Sequence, residues 1–347
     1  MLFMRSLRML KEYLVCLILI SVLCSGCSKF ANDREKEPLD IYKLINPNLQ
    51  EDLANFPPRD WSSCERLSRT RTEPRAKLTN EEAPVYDKIL TDLEVPTLRV
   101  RIYKPKVKKD KYPVLLWLHA GGHCTGSPND SDKLMMAISE EIGCIVVSPD
   151  YRLAPENPYP ADVDDCYAVL CWMVDQDKSK LPIDKNRVAI GGNSAGGGLA
   201  VQVSLKARDF KGPAIAFMMP LSPMLDYRNK TISSYQITDQ RAYNRQGNVS
   251  NWKIYLKNVK GAVPPYASPA VAKDLSNLPP TYMMVGSLDP FRDETITFAQ
   301  RMLAASVPVE LHVIPKGIHC FEFIFPMDPV SIKTRSEYIQ ALKNALQ

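Results

Sequence analysis

The chain has 347 residues, of which 45% are hydrophobic and 24% are charged. These proportions are typical of a globular protein and exclude intrinsic disorder, collagen and a coiled coil for the main body. The 44 Lys and Arg residues against 39 Asp and Glu residues give a formal charge of +5, which is too small over this length to indicate nucleic acid as a partner.

The N-terminus has the features of a targeting segment. Basic residues precede an apolar run over residues 14–23, which is too short to span a bilayer and is typical of a secretory signal peptide. Residues 24–27 resemble a bacterial lipobox, with Cys24 where Leu is usual. The resemblance implies a signal peptide over residues 1–26, lipid attachment to Cys27, and an exported protein held at the cell membrane by that lipid. The alternatives are an ordinary signal peptide, which gives a secreted protein, and an uncleaved signal anchor.

Six cysteines lie beyond this leader, and their spacing does not indicate a metal site. None of them forms a Cys-x-x-Cys pair, and the chain has only four histidines, so no zinc site is predicted. Cys144 lies in an apolar run and is expected to be a buried thiol. Export would permit disulfides, but the sequence assigns no pairing among Cys64, Cys124, Cys144, Cys166, Cys171 and Cys320.

From about residue 83, strand-like and helix-like patterns alternate. Short apolar or alternating runs predict seven strands, at residues 98–103, 113–118, 144–148, 187–190, 214–219, 282–285 and 309–314. Helical patterns cover residues 131–142, 161–175, about 195–207 and 331–346. The alternation predicts an α/β fold in which a mostly parallel sheet has helices on both faces.

Two polar segments do not follow this alternation. Residues 27–82 are punctuated by proline, and residues 225–275 are long and rich in aromatic side chains. Loops of that length inside a compact domain are usually functional. We expect both segments to form a cap over a pocket, with residues 83–347 as the α/β domain. Trp252 and Tyr255 are candidates for the pocket lining, or equally for the core of the cap.

A Gly-x-Ser-x-Gly motif at residues 192–196 follows the predicted strand at 187–190 and opens a helical stretch. In a strand–turn–helix setting, this motif presents the serine hydroxyl at the end of a sheet. The N-terminus of the following helix favours negative charge developing there. Ser194 is therefore the predicted nucleophile, and the alternative is a glycine-rich helix start that only packs tightly.

A His-Ala-Gly-Gly loop at residues 119–122 follows the predicted strand at 113–118. With it the chain resembles the α/β-hydrolases, and among them the hormone-sensitive lipase family, with its His-Gly-Gly-Gly loop and Gly-Asp-Ser-Ala-Gly type of serine motif. Ala120 departs from the family pattern, and residues 150–160 are similar to a further signature of the family. The resemblance implies the α/β-hydrolase fold with a cap. It also implies an oxyanion hole made by the backbone N–H groups of Gly121, Gly122 and Ala195.

Acidic and histidine residues follow two of the later predicted strands, where open α/β sheets place ligands. The chain order Ser194, Asp289, His319 is the order expected of α/β-hydrolases, and the resemblance makes Asp289 the acid and His319 the base. Asp293 is the competing candidate for the acid, and His312 is the weaker candidate for the base. We expect His119 to be a structural loop residue and His123 to be exposed beside it.

These features predict a serine carboxylesterase that hydrolyses short- to medium-chain acyl esters, acetyl esters among them, through an acyl-enzyme on Ser194. The alternatives are an amidase or peptidase with the same triad, and a non-catalytic ligand-binding member of the fold. Members that became receptors have lost the catalytic histidine, whereas His319 is present here. The predicted chemistry needs no metal and no organic cofactor. The expected partner is a small-molecule ester, and the sequence leaves its alcohol part and the oligomeric state open.

Overall fold

The computed structural model describes residues 36–60, 84–91 and 93–347. The predicted signal peptide, the lipid-attachment candidate Cys27 and Cys64 lie outside these residues. Within the described ranges, no helix combines the length and the hydrophobicity that crossing a membrane requires.

An eight-stranded sheet forms the centre of the molecule, in the order β1-β2-β4-β3-β5-β6-β7-β8. Strands β3 to β8 are parallel, whereas β2 is antiparallel to both of its neighbours, β1 and β4. All seven predicted strands are present, and the predicted α/β architecture is confirmed. The strands are β1 Val85–Leu90, β2 Leu98–Tyr103, β3 Tyr112–Leu118, β4 Ile145–Pro149, β5 Ile183–Asn193, β6 Phe217–Leu221, β7 Thr281–Leu288 and β8 Val309–Ile318.

Helices connect the strands and cover both faces of the sheet. In chain order they are α1 Ile41–Leu44, α2 Gln50–Asn55, α3 Asp132–Ile142, α4 Ala161–Val174, α5 Gln176–Ser179, α6 Ala195–Asp209, α7 Ile232–Gln236, α8 Arg245–Tyr255, α9 Arg292–Ala304, α10 Phe321–Ile324 and α11 Pro329–Leu346. The described residues also contain 3-10 turns at Pro47–Leu49, Pro128–Ser131 and Pro269–Val271.

Strand β3 shows how the sheet divides the core. Its side chains point alternately to the two faces. Leu116 belongs to the core that α4, α6 and α9 complete. Its neighbour Trp117 belongs to the core on the opposite face, which α1, α3 and α11 complete. Both side chains are fully buried, which explains why this strand is apolar throughout.

Strand β1 was not predicted, nor were helices α8 and α9 and several helices of four to six residues. Strand β1 pairs with β2 alone and carries Asp87 among its apolar residues, which obscures the alternation. The Asp87 carboxylate is buried because it pairs with Arg99 and Arg101 on β2, each at 3.0 Å. The polar residue that hides the strand in the sequence is therefore part of what holds it at the edge of the sheet.

The insertion at residues 225–275 contains α7 and α8, and the N-terminal segment lies against it. Leu39 donates its backbone N–H to the Gln236 carbonyl at 2.8 Å, and Arg59 donates to the Gln240 carbonyl at 3.0 Å. Residues 36–60 and the insertion are thus joined by backbone hydrogen bonds beside the ends of the parallel strands.

Candidate active site

Ser194 occupies the sharp turn between β5 and α6. Its backbone has φ 59° and ψ −120°, a strained conformation for a residue with a side chain. The turn requires glycine on both sides, because a Cβ on Gly192 would lie 2.4 Å from the Gly196 carbonyl oxygen. A Cβ on Gly196 would lie 2.0 Å from the Leu118 oxygen. This close packing explains both glycines of the motif and places the hydroxyl at the carboxyl ends of the strands.

The structure brings Ser194, His319 and Asp289 together. His319 Nε2 lies 2.9 Å from Ser194 Oγ, and His319 Nδ1 lies 2.8 Å from Asp289 Oδ2. Asp289 is fully buried, and its Oδ1 accepts the Phe291 backbone N–H at 2.8 Å. The imidazole is therefore held between a hydroxyl and a carboxylate that is itself fixed in place.

The two weaker candidates lie elsewhere. Asp293 accepts hydrogen bonds from the backbone N–H of Ser233 and from Nε of Arg292, both at 2.7 Å. His312 lies on β8 with its Nε2 2.7 Å from Glu310. Neither side chain contributes to the Ser194 cluster.

Aromatic rings enclose the imidazole of His319. The Phe291 ring meets it edge-on with centroids 5.0 Å apart, and the Tyr243 ring is tilted against it at 4.9 Å. Burial raises the pKa of Tyr243 well above its ordinary value, so this phenol stays neutral beside the cluster. The rings limit the access of water to the hydrogen bonds and strengthen them.

The glycine loop lies opposite the serine. Gly121 has φ 136° and Gly122 has φ 60°, conformations that side chains other than glycine rarely adopt. Both residues line the cavity that contains Ser194. Ala195 is the first residue of α6, where backbone N–H groups have no partner within the helix. The backbones of Gly121, Gly122 and Ala195 thus lie in the two segments that flank the serine.

His119 and His123 are both buried parts of the scaffold. His119 stacks on Tyr151 with centroids 4.0 Å apart. The prediction that His123 is exposed was wrong: it is fully buried, its Nδ1 lies 2.6 Å from Asp162, and it stacks on Tyr255 at 3.8 Å. The reason is that α4 and the insertion cover the loop from the two sides, and the Asp162 carboxylate supplies the polar partner that burial requires.

A cavity of about 540 Å³ opens in front of Ser194 and His319. Three cavities of similar volume in the described structure contain neither residue. The walls come from the glycine loop, the N-terminal segment, the insertion and the loop after β8. Residues outside the predicted motifs that line it include Phe56, Arg59, Arg241, Tyr243, Asn251 and Ile324.

Trp252 and Tyr255 do not line this cavity. They are 2% and 1% exposed and belong to an apolar cluster that also contains Ala195, Val285 and Phe291, so they pack the insertion against the α/β domain. Helix α8 turns Asn251 toward the cavity instead. No motif in the sequence singles out Asn251 or Tyr243. The position of Asn251 depends on which face of α8 meets the glycine loop, and Tyr243 lies in the segment just before α8.

A second buried hydrogen-bond network joins the loop that carries Ser194 to the loop that carries His319. Asn193 Nδ2 donates to Glu322 Oε1 at 2.7 Å, and Cys320 Sγ donates to Asn193 Oδ1 at 2.7 Å. Burial raises the pKa of Glu322 to about 7. Asn193 precedes the serine and Cys320 follows the histidine, so this network fixes the two loops relative to each other. Sequence analysis did not identify it.

The cysteines are of two kinds. Cys124, which follows the glycine loop, is disulfide-bonded. Cys144, Cys166, Cys171 and Cys320 are free thiols, and Cys144 is fully buried as predicted. Among the described residues, no group of three or more His, Cys, Asp or Glu side chains is arranged to hold a metal ion.

A family model described as the alpha/beta hydrolase fold matches residues 115–323, more than half of the chain. The chain belongs to this α/β-hydrolase family. The match spans the serine motif, Asp289 and His319, and it confirms the predicted fold. A carboxylesterase family model matches residues 68–155, a range that includes the glycine loop.

Relatives within the α/β-hydrolase family are named as esterases. The chain is 33% identical to the carboxylesterase NlhH of Mycobacterium tuberculosis over 287 residues, covering 81% of this chain and 88% of the relative. It is 34% identical to an arylesterase of Saccharolobus solfataricus over 237 residues, covering 67% and 74%. Among solved structures, a bacterial heroin esterase superposes with a TM-score of 0.80 at 33% identity, covering 88% of this chain and 99% of that one.

Proposed function

We propose that this carboxylic ester hydrolase is a serine esterase in which Ser194 is the nucleophile, His319 the general base and Asp289 the acid that orients the imidazole. The observation that carries the proposal is the continuous line of hydrogen bonds from Ser194 Oγ through His319 to Asp289, with distances of 2.9 and 2.8 Å. The line ends at the wall of an open cavity, where a substrate carbonyl can approach the hydroxyl.

The geometry supports a two-step reaction. His319 Nε2 accepts the hydroxyl proton as Ser194 Oγ attacks the carbonyl carbon, and the imidazolium that forms faces the Asp289 carboxylate. His319 then protonates the leaving alcohol, and a water molecule repeats the sequence on the acyl-enzyme.

The N–H groups of Gly121, Gly122 and Ala195 are the proposed donors to the oxyanion. A single preorganised donor of this kind contributes about 3 kcal/mol to transition-state stabilisation. Gly121 and Gly122 line the cavity, and the absence of side chains at both positions lets a substrate oxygen approach their amides closely. The N-terminus of α6 adds a favourable field at the same point.

We further propose that the acyl chains are short to medium in length. The cavity of about 540 Å³ lies in the lower part of the range for small-molecule sites. It has to hold the alcohol part as well. Apolar walls from Phe56, Ile318 and Ile324 suit such a chain.

Esters rather than amides are favoured because the relatives are named carboxylesterase, arylesterase and heroin esterase. A matched pair of substrates tests this choice: p-nitrophenyl acetate and p-nitroacetanilide share the acyl group and the aromatic ring. We expect turnover of the ester alone. Comparable turnover of the anilide would instead identify an amidase.

The nucleophile is tested by Ser194→Ala. We expect kcat on p-nitrophenyl acetate to fall by at least about 10⁴-fold, because the substitution removes the hydroxyl that faces His319 Nε2. Ser204→Ala is the matched control, since this buried hydroxyl on α6 bonds the Ala200 carbonyl at 2.7 Å and takes no part in the cluster. Retained turnover in folded Ser194→Ala would contradict the assignment, as would an equal loss in the control.

We also propose that the protein is exported and anchored through a lipid on Cys27. The lipobox-like residues 24–27 support this, and so does the disulfide at Cys124, since disulfides persist in oxidising compartments. Cys27→Ser expressed in a bacterial host should move the protein from the membrane to the soluble fraction after leader cleavage. Membrane association that persists although the leader of the variant is cleaved would contradict the lipid anchor. An uncleaved leader in the wild-type protein would support the signal-anchor alternative.

A further inference from the structure

Two arginines line the cavity that contains Ser194 and His319. Arg59 lies near the end of the described N-terminal segment and is exposed, and Arg241 lies in the insertion between α7 and α8. The backbone N–H of Arg59 donates to the carbonyl of Gln240, the residue just before Arg241, at 3.0 Å. The two arginines therefore line the cavity from neighbouring points of the backbone, although they are far apart in the sequence.

The guanidinium of Arg241 is fixed in place without being enclosed. Its Nε and Nη2 donate to the two carboxylate oxygens of Asp239, at 3.0 and 2.6 Å, and it lies over the ring of Tyr42, 5.2 Å from the centroid. The side chain is 25% exposed, so a molecule in the cavity can reach it. Because its orientation is set in advance, this guanidinium loses little freedom when it binds a further group.

The cavity offers these cations no acid of its own. None of the described residues that line it is an Asp or a Glu, and the Asp289 carboxylate is fully buried against the imidazole. A guanidinium carries five N–H donors, so an arginine that already pairs with one carboxylate keeps donors for a second. The Asp239 carboxylate compensates part of the positive charge, which favours an anion of single charge over a phosphate monoester with nearly two.

We propose that Arg59 and Arg241 bind a carboxylate carried by the ester substrate. The site would then select half-esters of dicarboxylic acids, with the carboxylate on the acyl part, or acyl esters of hydroxy acids, with the carboxylate on the alcohol part. The planar fork of a guanidinium matches the two oxygens of a carboxylate in either case. This inference rests on the proposed esterase function and names the class of its substrate.

Two pairs of esters test the inference, and each pair differs only by a carboxylate oxygen in place of a methyl group. The acyl pair is monoethyl glutarate and ethyl 5-oxohexanoate, and the alcohol pair is 4-acetoxybutanoate and 5-acetoxypentan-2-one. We expect kcat/KM of the wild-type protein to favour the anion in one pair by roughly tenfold at low salt, the value of one charge-assisted hydrogen bond. The favoured pair identifies the half of the ester that carries the carboxylate. The preference should shrink as sodium chloride rises from about 0.02 to 0.3 M, because salt screens exposed charges.

Variants separate contact with the guanidinium groups from the general effect of charge. Arg59→Gln should lower the anion-to-ketone ratio in the favoured pair about threefold or more. The double variant Arg241→Gln/Asp239→Asn removes both members of an ion pair and leaves the net charge unchanged, so a similar loss there reports contact with Arg241 itself. Lys185→Gln is the matched control, since it removes one exposed positive charge near the start of β5, at the opposite end of that strand from Ser194, and it should leave the ratio unchanged.

The outcomes are distinguishable. A wild-type protein that favours the anion in neither pair would overturn the inference without any need for a variant to fold. A preference that is unchanged in folded Arg59→Gln and in the folded double variant would do the same, and so would an equal loss in Lys185→Gln. In each case, hydrolysis of the ketone esters would leave the esterase function standing. If no ester is hydrolysed in a Ser194-dependent manner, the proposed function itself fails.

Discussion

Replacing Asp289 by Asn would remove one charge from the buried end of the triad and change no packing. Asp289 Oδ1 accepts the Phe291 N–H, and Oδ2 faces His319 Nδ1. Because the Phe291 N–H can only donate, Asn keeps its carbonyl oxygen there and turns its NH₂ group toward His319. Nδ1 must then accept, so the ring proton moves to Nε2, which can no longer accept the proton of Ser194.

The size of the effect follows from that tautomer. We expect kcat to fall on the order of 10⁴-fold, which corresponds to about 5 kcal/mol of activation free energy. Asp289 is fully buried, so water cannot reach this position to compensate for the loss of the carboxylate. KM should change little, because the substitution leaves the cavity walls in place.

The assay is the initial rate on p-nitrophenyl acetate, with circular dichroism and urea unfolding as measures of folding. Asp293→Asn is the matched control. Its carboxylate joins α7 to α9 through Ser233 and Arg292, so we expect near wild-type kcat and a loss of about 1 kcal/mol in unfolding free energy. If Asp289→Asn kept most of its kcat, or if Asp293→Asn lost as much, the assignment of the acid would be wrong.

Two further predictions concern the loops around the serine. Gly122→Ala places a Cβ 1.8 Å from Asn251 Nδ2, so either the loop or the Asn251 side chain must shift. The φ of 60° also strains the backbone of an alanine at this position. Loss of one oxyanion donor should lower kcat about 100-fold, and an unchanged kcat in a folded variant would argue against this loop as the oxyanion hole. Glu322→Gln tests the carboxyl whose pKa burial raises from 4.5 to about 7. The stability contributed by the neutral carboxyl is complete below pH 4.5 and is lost as pH rises through 7. The variant should therefore gain on the order of 3 kcal/mol in unfolding free energy relative to wild type between pH 4 and pH 8. Urea titrations at several pH values measure this gain, and a difference that stays constant with pH would show that Glu322 does not titrate in this range.

Local sequence patterns were enough to predict the strands and the turn on which the site is built. The apolar run at residues 113–118 indicates a strand buried on both faces, because side-chain direction alternates along any strand. The Gly-x-Ser-x-Gly motif indicates a tight strand–turn–helix, since only glycine permits so close an approach of backbones. Chain order then placed Asp289 and His319 after later strands. The first two inferences depend on neighbours within a few residues of one another, whereas the roles of Asp289 and His319 came from chain order and from the family resemblance.

Tertiary structure alone decided which side chains meet. The family resemblance favoured Asp289 over Asp293, but the contacts that fix the chosen carboxylate, from the Phe291 N–H and the imidazole, are seen only in the folded chain. His123 looks like a surface loop residue until α4 and the insertion cover it. Helix α8 could have presented Trp252 to the cavity, but its rotation against the glycine loop presents Asn251. Such choices depend on contacts between segments far apart in the chain, and no local periodicity encodes the relative rotation of two packed elements.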